Sequence, residues 1–155
     1  MAQDAADRFE LGTDGPKAIL VGVDASITSL RAAAYGAGLA RRQGAGVTIV
    51  YVAPVASLGA ATPGGADLAA AQRQAAHQIA EDLRHRAEEA SRDLGISITF
   101  IATEGDPFTE LRRIADEIRA DAVVVGASKQ AGHRLIGSLA VRLVRAGRWP
   151  VTVVP

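Results

Sequence analysis

The chain contains no cysteine. This absence excludes a disulfide framework, thiol catalysis and any metal site built on cysteine. Long apolar segments are also missing, because no run approaches the roughly 18 residues that a membrane-spanning helix needs. The first sixteen residues carry several acidic groups and no apolar centre, so they do not resemble a secretion signal. We therefore expect a cytoplasmic protein with no membrane partner.

An excess of charge of one sign is the next feature that the sequence lacks. Lys and Arg number 17 against 17 Asp and Glu, which gives a formal net charge of zero. A dedicated nucleic-acid-binding protein would show a basic excess, so no nucleic-acid partner is expected. With 155 residues, 48% of them hydrophobic, the chain is long enough for one domain with a proper core. We predict a flexible N-terminal tail over residues 1–16 and one folded domain over residues 17–155.

Apolar strand-like runs alternate with helical patterns along that domain. The runs fall at residues 17–24, 47–52, 96–102, 121–126 and 151–154, and helices are predicted over about 26–43, 68–94, 107–118 and 138–145. Asp67 is the predicted cap of the long second helix. The predicted buried face of the first helix consists of Leu30, Ala33, Ala34, Ala37 and Ala40.

This alternation predicts an α/β fold with a parallel sheet and helices on both of its faces. Ligands of such sheets bind beyond the carboxyl ends of the strands, where the strand order reverses. If the first and fourth strands are neighbours at that point, Asp24 and Gly126 face the same crevice.

The segment from Asp121 to Ser138 has the layout of an anion site. A buried strand ends at Gly126, a polar loop follows, and Gly137 and Ser138 open a helix. The first N–H groups of a helix are unpaired, and its dipole favours a negative ligand there. Equally, Gly126, Gly137 and Ser138 could simply end a strand and start a helix.

The loop inside this segment carries positive charge. Lys129, His133 and Arg134 could contact phosphates, or they could belong to a solvated surface loop. The sequence has no Walker A motif and no nucleophile elbow, so we do not expect an enzyme. At most, Asp24, Ser128 and His133 would support slow nucleotide hydrolysis. The histidines have no metal-binding spacing, so no metal centre is expected.

Three stretches resemble the universal stress protein family. They are ILVGVDASITSLRAAAYGAGLA, VTIVYVAPV and DAVVVGASKQAGHRLIGSLAVRLVRAGRWPVTVVP. The resemblance implies a three-layer Rossmann-like fold of the adenine nucleotide alpha hydrolase type, with a five-stranded parallel sheet of order 3-2-1-4-5. It also implies ATP binding, which many members show, and dimers formed through the last strand.

Site residues follow from the same resemblance. Gly126 matches the first glycine of the family's ATP-binding pattern, and Gly137 with Ser138 matches its final pair. Asp24 matches an aspartate at the nucleotide site, and Val52 matches a position whose backbone contacts adenine. Ser128 lies within the same pattern.

The pattern differs from that of the family in its middle. Lys129 stands where the second glycine is expected, and the segment from Gly126 to Gly137 is two residues short. We therefore predict that any ATP binding is weak, with Mg²⁺ held only if a nucleotide is bound.

Two functions remain open from the sequence. One is a stress-response regulatory protein with an adenine nucleotide in the crevice, and the other is a dimeric interaction module with a vestigial crevice. The last strand, Val151 to Val154, has no charge or proline at its centre, so it is predicted to pair with a second copy. Alternatively, that edge is tolerated in a monomer or covered by the N-terminal tail through Phe9 and Leu11.

Overall fold

A computed structural model describes residues 15–56, 63–128 and 137–155. The predicted N-terminal tail, apart from its last two residues, lies outside these ranges. Strands and helices alternate in the order β1 (Ala18–Val23), α1 (Ile27–Gln43), β2 (Gly46–Ala53), α2 (Gly65–Leu94), β3 (Ile98–Glu104), α3 (Pro107–Glu117), β4 (Ala122–Gly126), α4 (Ser138–Ala146) and β5 (Val151–Val154).

The strands form one sheet of order β3-β2-β1-β4-β5, and all neighbouring pairs are parallel. The predicted fold class and strand order are therefore confirmed. β1 lies at the centre, where Gly22 is level with Val50 of β2 on one side and Val125 of β4 on the other. Because β1 and β4 are neighbours but not consecutive, the strand order reverses between them.

Both faces of the sheet are buried, as expected for continuous apolar strands. Ile19 and Val21 of β1 pack on one side with Leu83 of α2. Leu20, between them, packs on the other side with Leu111 of α3 and Leu143 of α4. Because side chains alternate along β1, they contribute to two separate cores, one on each face of the sheet.

The predicted buried face of α1 is wrong in part. Ala37 and Ala40 are buried, but Ala34 is exposed, and the remaining buried positions are Thr28, Ser29, Ala32 and Gly36. Gly36 explains the difference, because a Cβ atom there would lie 2.7 Å from Val21 Cγ2. The helix contacts the sheet through its smallest residue, which a pattern of apolar side chains does not identify.

The predicted start of α2 is also wrong. The helix begins at Gly65 with Gly64 as its N-cap, so Asp67 lies in the first turn instead of capping it. Leu68, at the predicted start of the helix, is 57% exposed. The 30-residue helix is about 45 Å long. β2, with eight residues, spans about 26 Å, so α2 is longer than the strands that it covers.

No helix within the described ranges combines the length and the apolar character that a membrane crossing requires.

Two glycines of α1 offer a matched test of this packing. Gly36→Ala should lower the free energy of unfolding by about 1–3 kcal/mol, because the added methyl overlaps Val21. Gly38→Ala should raise it by about 0.5–1 kcal/mol, since the nearest atom is Arg42 Nη1 at 3.6 Å and alanine favours the helix. Urea denaturation of both variants measures the difference. Equal effects of the two substitutions would contradict the close approach of α1 to β1.

Candidate functional site

A crevice of about 580 Å³ lies at the carboxyl ends of β1 and β4, on the α3–α4 side of the sheet. The structure brings Asp24, Val52, Gly126, Ser128, Gly137 and Ser138 to its lining. Lys129, together with His133 and Arg134, lies outside the described residues. Six of the seven site residues predicted from sequence therefore surround one cavity.

The space in the crevice depends on Gly22, which sequence reasoning did not single out. A Cβ atom at this position would lie 3.0 Å from Leu111 Cδ1. Glycine therefore lets Leu111 pack closely over β1, and it adds no side chain of its own to the crevice between Val50 and Val125. A glycine in the middle of an apolar strand often marks such a close approach, and that signal was present in the sequence.

The turn after β1 presents Asp24 and several hydroxyl groups to the crevice. The N–H of Ser26 donates to Asp24 Oδ1 at 3.0 Å, and the N–H of Asp24 donates to Ser29 Oγ at 3.2 Å. Ser26 is the N-cap of α1, because its Oγ accepts a hydrogen bond from the Ser29 N–H. Ala25, between Asp24 and Ser26, has a φ of 65°, a left-handed conformation that costs a non-glycine residue about 1 kcal/mol.

The carboxyl group of Asp24 is stabilised in its charged form. Desolvation raises its pKa, but the hydrogen bonds from Ser26 and Ser29 outweigh this effect and lower the pKa below its ordinary value. Asp24 therefore faces the crevice as an anion near neutral pH. Asp24 also has a structural role, since it accepts a hydrogen bond from the backbone of Ser26, the residue that caps α1.

Gly126 has a structural reason to be glycine. A Cβ atom there would lie 2.5 Å from the carbonyl carbon of Thr28 and 2.6 Å from the nitrogen of Ser29. The first turn of α1 thus rests directly on the end of β4. This packing accounts for the residue without any ligand.

Gly137 and Ser138 form an open helix start. Gly137 is the N-cap of α4 and makes no side-chain capping bond, and the Val141 N–H donates to its carbonyl at 3.1 Å. The N–H groups of Ser138, Leu139 and Ala140 consequently have no partner within the helix. These donors and the helix dipole favour an anion at this end of the crevice.

The two ends of the segment between Ser128 and Gly137 touch each other. A Cβ atom on Gly137 would lie 2.7 Å from Ser128 Cβ. The position of the α4 N-terminus against β4 is therefore set by this contact. Although the segment from Gly126 to Gly137 is two residues shorter than in the family pattern, Gly126 and Ser138 line the same crevice.

An ion pair that was not predicted from the sequence joins α3 to α4 beside the crevice. Asp106 caps α3 by accepting a hydrogen bond from the Thr109 N–H at 2.9 Å. It also accepts from both terminal nitrogens of Arg142, at 3.0 and 3.1 Å. The guanidinium lies 4.3 Å from the centre of the Phe108 ring. No local pattern connects residues 36 positions apart, so this contact needed the tertiary structure.

The crevice is poor in charged side chains. Among the described residues that line it, Asp24 is the one carboxylate and none is a lysine or arginine. The described part of the chain contains no group of three or more potential metal ligands. Asp24 could contribute to Mg²⁺ binding, but the remaining ligands would have to come from a nucleotide and water.

An open parallel sheet with a crevice where the strand order reverses, flanked by an uncapped helix N-terminus, is the architecture of a Rossmann-like α/β domain. The model of the universal stress protein family matches residues 16–155. The chain belongs to the universal stress protein family.

Individual relatives agree with this assignment. A universal stress protein of Methanocaldococcus jannaschii is 29% identical over 148 residues, which cover 89% of this chain and 81% of that protein. A universal stress protein solved in complex with cAMP is 24% identical, with a TM-score of 0.63 over 91% of this chain and 98% of its own. The Archaeoglobus fulgidus protein in complex with dAMP is 22% identical, with a TM-score of 0.60 over 90% and 98%.

The ion pair beside the crevice predicts a pH dependence. Hydrogen bonds from Arg142 and Thr109 lower the pKa of Asp106 from 3.8 to about 2. Its contribution to stability is therefore complete above pH 3.8 and is lost as the pH falls towards about 2. Asp106→Asn retains a capping oxygen but cannot ionise, so it should lose less stability than the parent between about pH 5 and pH 2.5. Urea denaturation across this range compares them, and parallel curves would argue against the pair.

Proposed function

We propose that this protein is a stress-response regulator that binds an adenine nucleotide with a single phosphate group. The observation that carries the proposal is the open N-terminus of α4 at one end of a largely apolar crevice. A base would occupy the apolar part, and the phosphate would accept hydrogen bonds from the helix. The nucleotide complexes of the two similar structures support this choice of ligand.

The base has a suitable slot along the sheet. Val50, Val52 and Val125 line the cavity, and Gly22 between them adds no side chain that would fill it. A planar adenine ring can stack on such apolar groups, and main-chain groups at the end of β2 can bond its edge. Val52 is proposed to act through its backbone, while its side chain packs against the core around Leu20.

The phosphate would lie between two neighbouring backbone segments. The free N–H groups of α4 and the hydroxyl of Ser138 are the proposed donors, and Gly126 to Ser128 form the adjacent wall. A single phosphate suits this site better than three, because no described lining residue supplies a positive charge.

The proposal involves no catalytic step. The nucleotide would act as a signal whose occupancy changes the surface around the crevice, including the α3–α4 rim. In the alternative, the crevice stays empty and the protein acts as a dimeric interaction module. These two functions differ in whether the purified protein binds a nucleotide at all.

Calorimetric titration of the parent with AMP, cAMP, ATP and adenosine tests the proposal. AMP or cAMP should bind at least about tenfold more tightly than adenosine, the difference expected from hydrogen bonds to a charged phosphate. ATP with Mg²⁺ should bind more weakly than AMP. No binding of any of the four compounds would favour the interaction module.

Substitution of Ser138 separates binding from folding. Ser138→Asp places a negative charge at the start of α4, which stabilises the helix dipole but repels a phosphate. AMP affinity should therefore fall about tenfold or more, while the melting temperature stays the same or rises and adenosine affinity is unchanged. Ser138→Ala is the control that removes the hydroxyl alone. Unchanged AMP affinity in Ser138→Asp would place the phosphate elsewhere.

We also propose that β5 forms a homodimer. This strand pairs with β4 on one side, through Val123 N–H to Pro150 O and Ala127 N–H to Val154 O. Along a parallel strand, the N–H and C=O groups of successive residues point to opposite sides. Val151 and Val153 therefore direct their N–H and C=O groups away from β4. A second copy related by a two-fold axis would satisfy them.

Two proline substitutions test this edge. Val153→Pro removes an outward N–H and should convert the dimer to a monomer with little loss of stability. Thr152→Pro is the control, because it disrupts the ladder to β4 and should destabilise the fold itself. Light scattering gives the oligomeric state and urea denaturation the stability. A monomeric parent at micromolar concentration would refute the proposed interface.

A further inference from the structure

The ion pair between Asp106 and Arg142 occupies a particular place beside the crevice. Asp106 immediately precedes Pro107, which lines one wall, and Arg142 lies one turn after Ser138, which lines the opposite wall. The pair therefore joins the α3 wall to the α4 wall close to the proposed phosphate position. We call these two residues the clamp.

The start of α4 needs support from outside its own first turn. Ser26 caps α1 and Asp106 caps α3, each with a side-chain hydrogen bond to the helix. Gly137 provides no such bond at α4. A capping side chain would occupy the N–H groups that an anion requires, so an open anion site and a capped helix exclude each other.

The clamp supplies that support from the next turn. Both oxygens of Asp106 accept from Arg142, in the two-point geometry that fixes direction as well as distance. Stacking on Phe108, at 4.3 Å, further restricts the guanidinium. Phe108 and Leu139 both pack against the core on this side of the sheet, so the clamp rests on a buried layer.

Arg142 also neutralises a charge at the rim. Asp106 is 47% exposed and stands at the N-terminus of α3, beside the crevice. Without its partner, this carboxylate would repel a phosphate at the start of α4. The arginine therefore has two effects on the same ligand, one through the position of α4 and one through charge.

We propose that Asp106 and Arg142 are positioning residues that hold the uncapped N-terminus of α4 ready for the phosphate of a bound nucleotide. This inference rests on the proposed function. It assigns a role to two residues that do not touch the ligand themselves. It predicts that the clamp affects ligands with a phosphate and leaves adenosine almost unaffected.

The fold provides a matched control at the other end of the same two helices. Arg148 pairs with Asp116 at 3.2 Å, where α3 and α4 end, and it lies 5.6 Å from the Trp149 ring centre. The exposure of its side chain, 45%, is close to the 49% of Arg142. Arg148→Gln therefore removes a similar ion pair away from the crevice.

The experiment compares Arg142→Gln, Arg148→Gln and the parent, with AMP and adenosine as calorimetric ligands. Arg142→Gln should lower AMP affinity about tenfold while adenosine affinity changes less than about twofold. Arg148→Gln should change neither. Adding Asp106→Asn to Arg142→Gln should recover part of the AMP affinity, because the uncompensated charge is then removed and the α3 cap retained.

Hydrogen exchange provides a readout without ligand. The amides of Val141 to Leu143, the first in α4 to donate hydrogen bonds within the helix, should exchange faster in Arg142→Gln than in the parent, and Arg148→Gln should leave them unchanged. Equal exchange in all three proteins, or an equal loss of AMP and adenosine affinity in Arg142→Gln, would overturn the clamp. A parent that binds neither AMP nor adenosine would instead overturn the proposed function, and with it the role of the clamp.

Discussion

The first turn of α1 packs directly against the end of β4, and the parts of the crevice are arranged around this contact. The backbone of Thr28 and Ser29 comes so near to Gly126 that even a methyl group would overlap it. This contact brings the turn that carries Asp24 beside the carboxyl end of β4 and the N-terminus of α4. It therefore places the reversal of strand order, the hydroxyl groups of the first turn and the open helix N-terminus around one cavity. A larger residue at position 126 would separate these parts before any ligand could bind.

The shape of the crevice depends on glycines, which have no side chain. Gly22 adds no side chain above β1, and Gly137 lets α4 begin against Ser128. Among the described residues of the lining, the groups that can bind a ligand are mainly backbone groups and hydroxyls, together with the carboxylate of Asp24. This composition fits a neutral base and one phosphate better than a heavily charged ligand, since charges in a partly closed site need nearby compensation.

The two helices on the crevice side, α3 and α4, differ at their N-termini. α3 is capped and anchored through Asp106, whereas α4 keeps its first N–H groups open. Arg142 connects them, so the open end is held by a neighbour instead of by its own cap. Nucleotide occupancy would thereby be connected to the α3–α4 surface, a physical route by which a bound ligand could alter partner binding.

The fold class and, through the family resemblance, the strand order could be predicted from the sequence, because buried parallel strands are continuous apolar runs. Most residues that line the crevice were also predicted, since Gly126, Gly137 and Ser138 mark the end of a strand and the start of a helix. The sequence pattern did not show that Gly36 is buried and Ala34 exposed in α1, or where α2 begins, since those depend on the sheet surface that each helix meets. The packing of Leu111 over Gly22 and the clamp, which joins residues 36 positions apart, required the folded structure, because side chains distant in sequence interact only after the chain has folded.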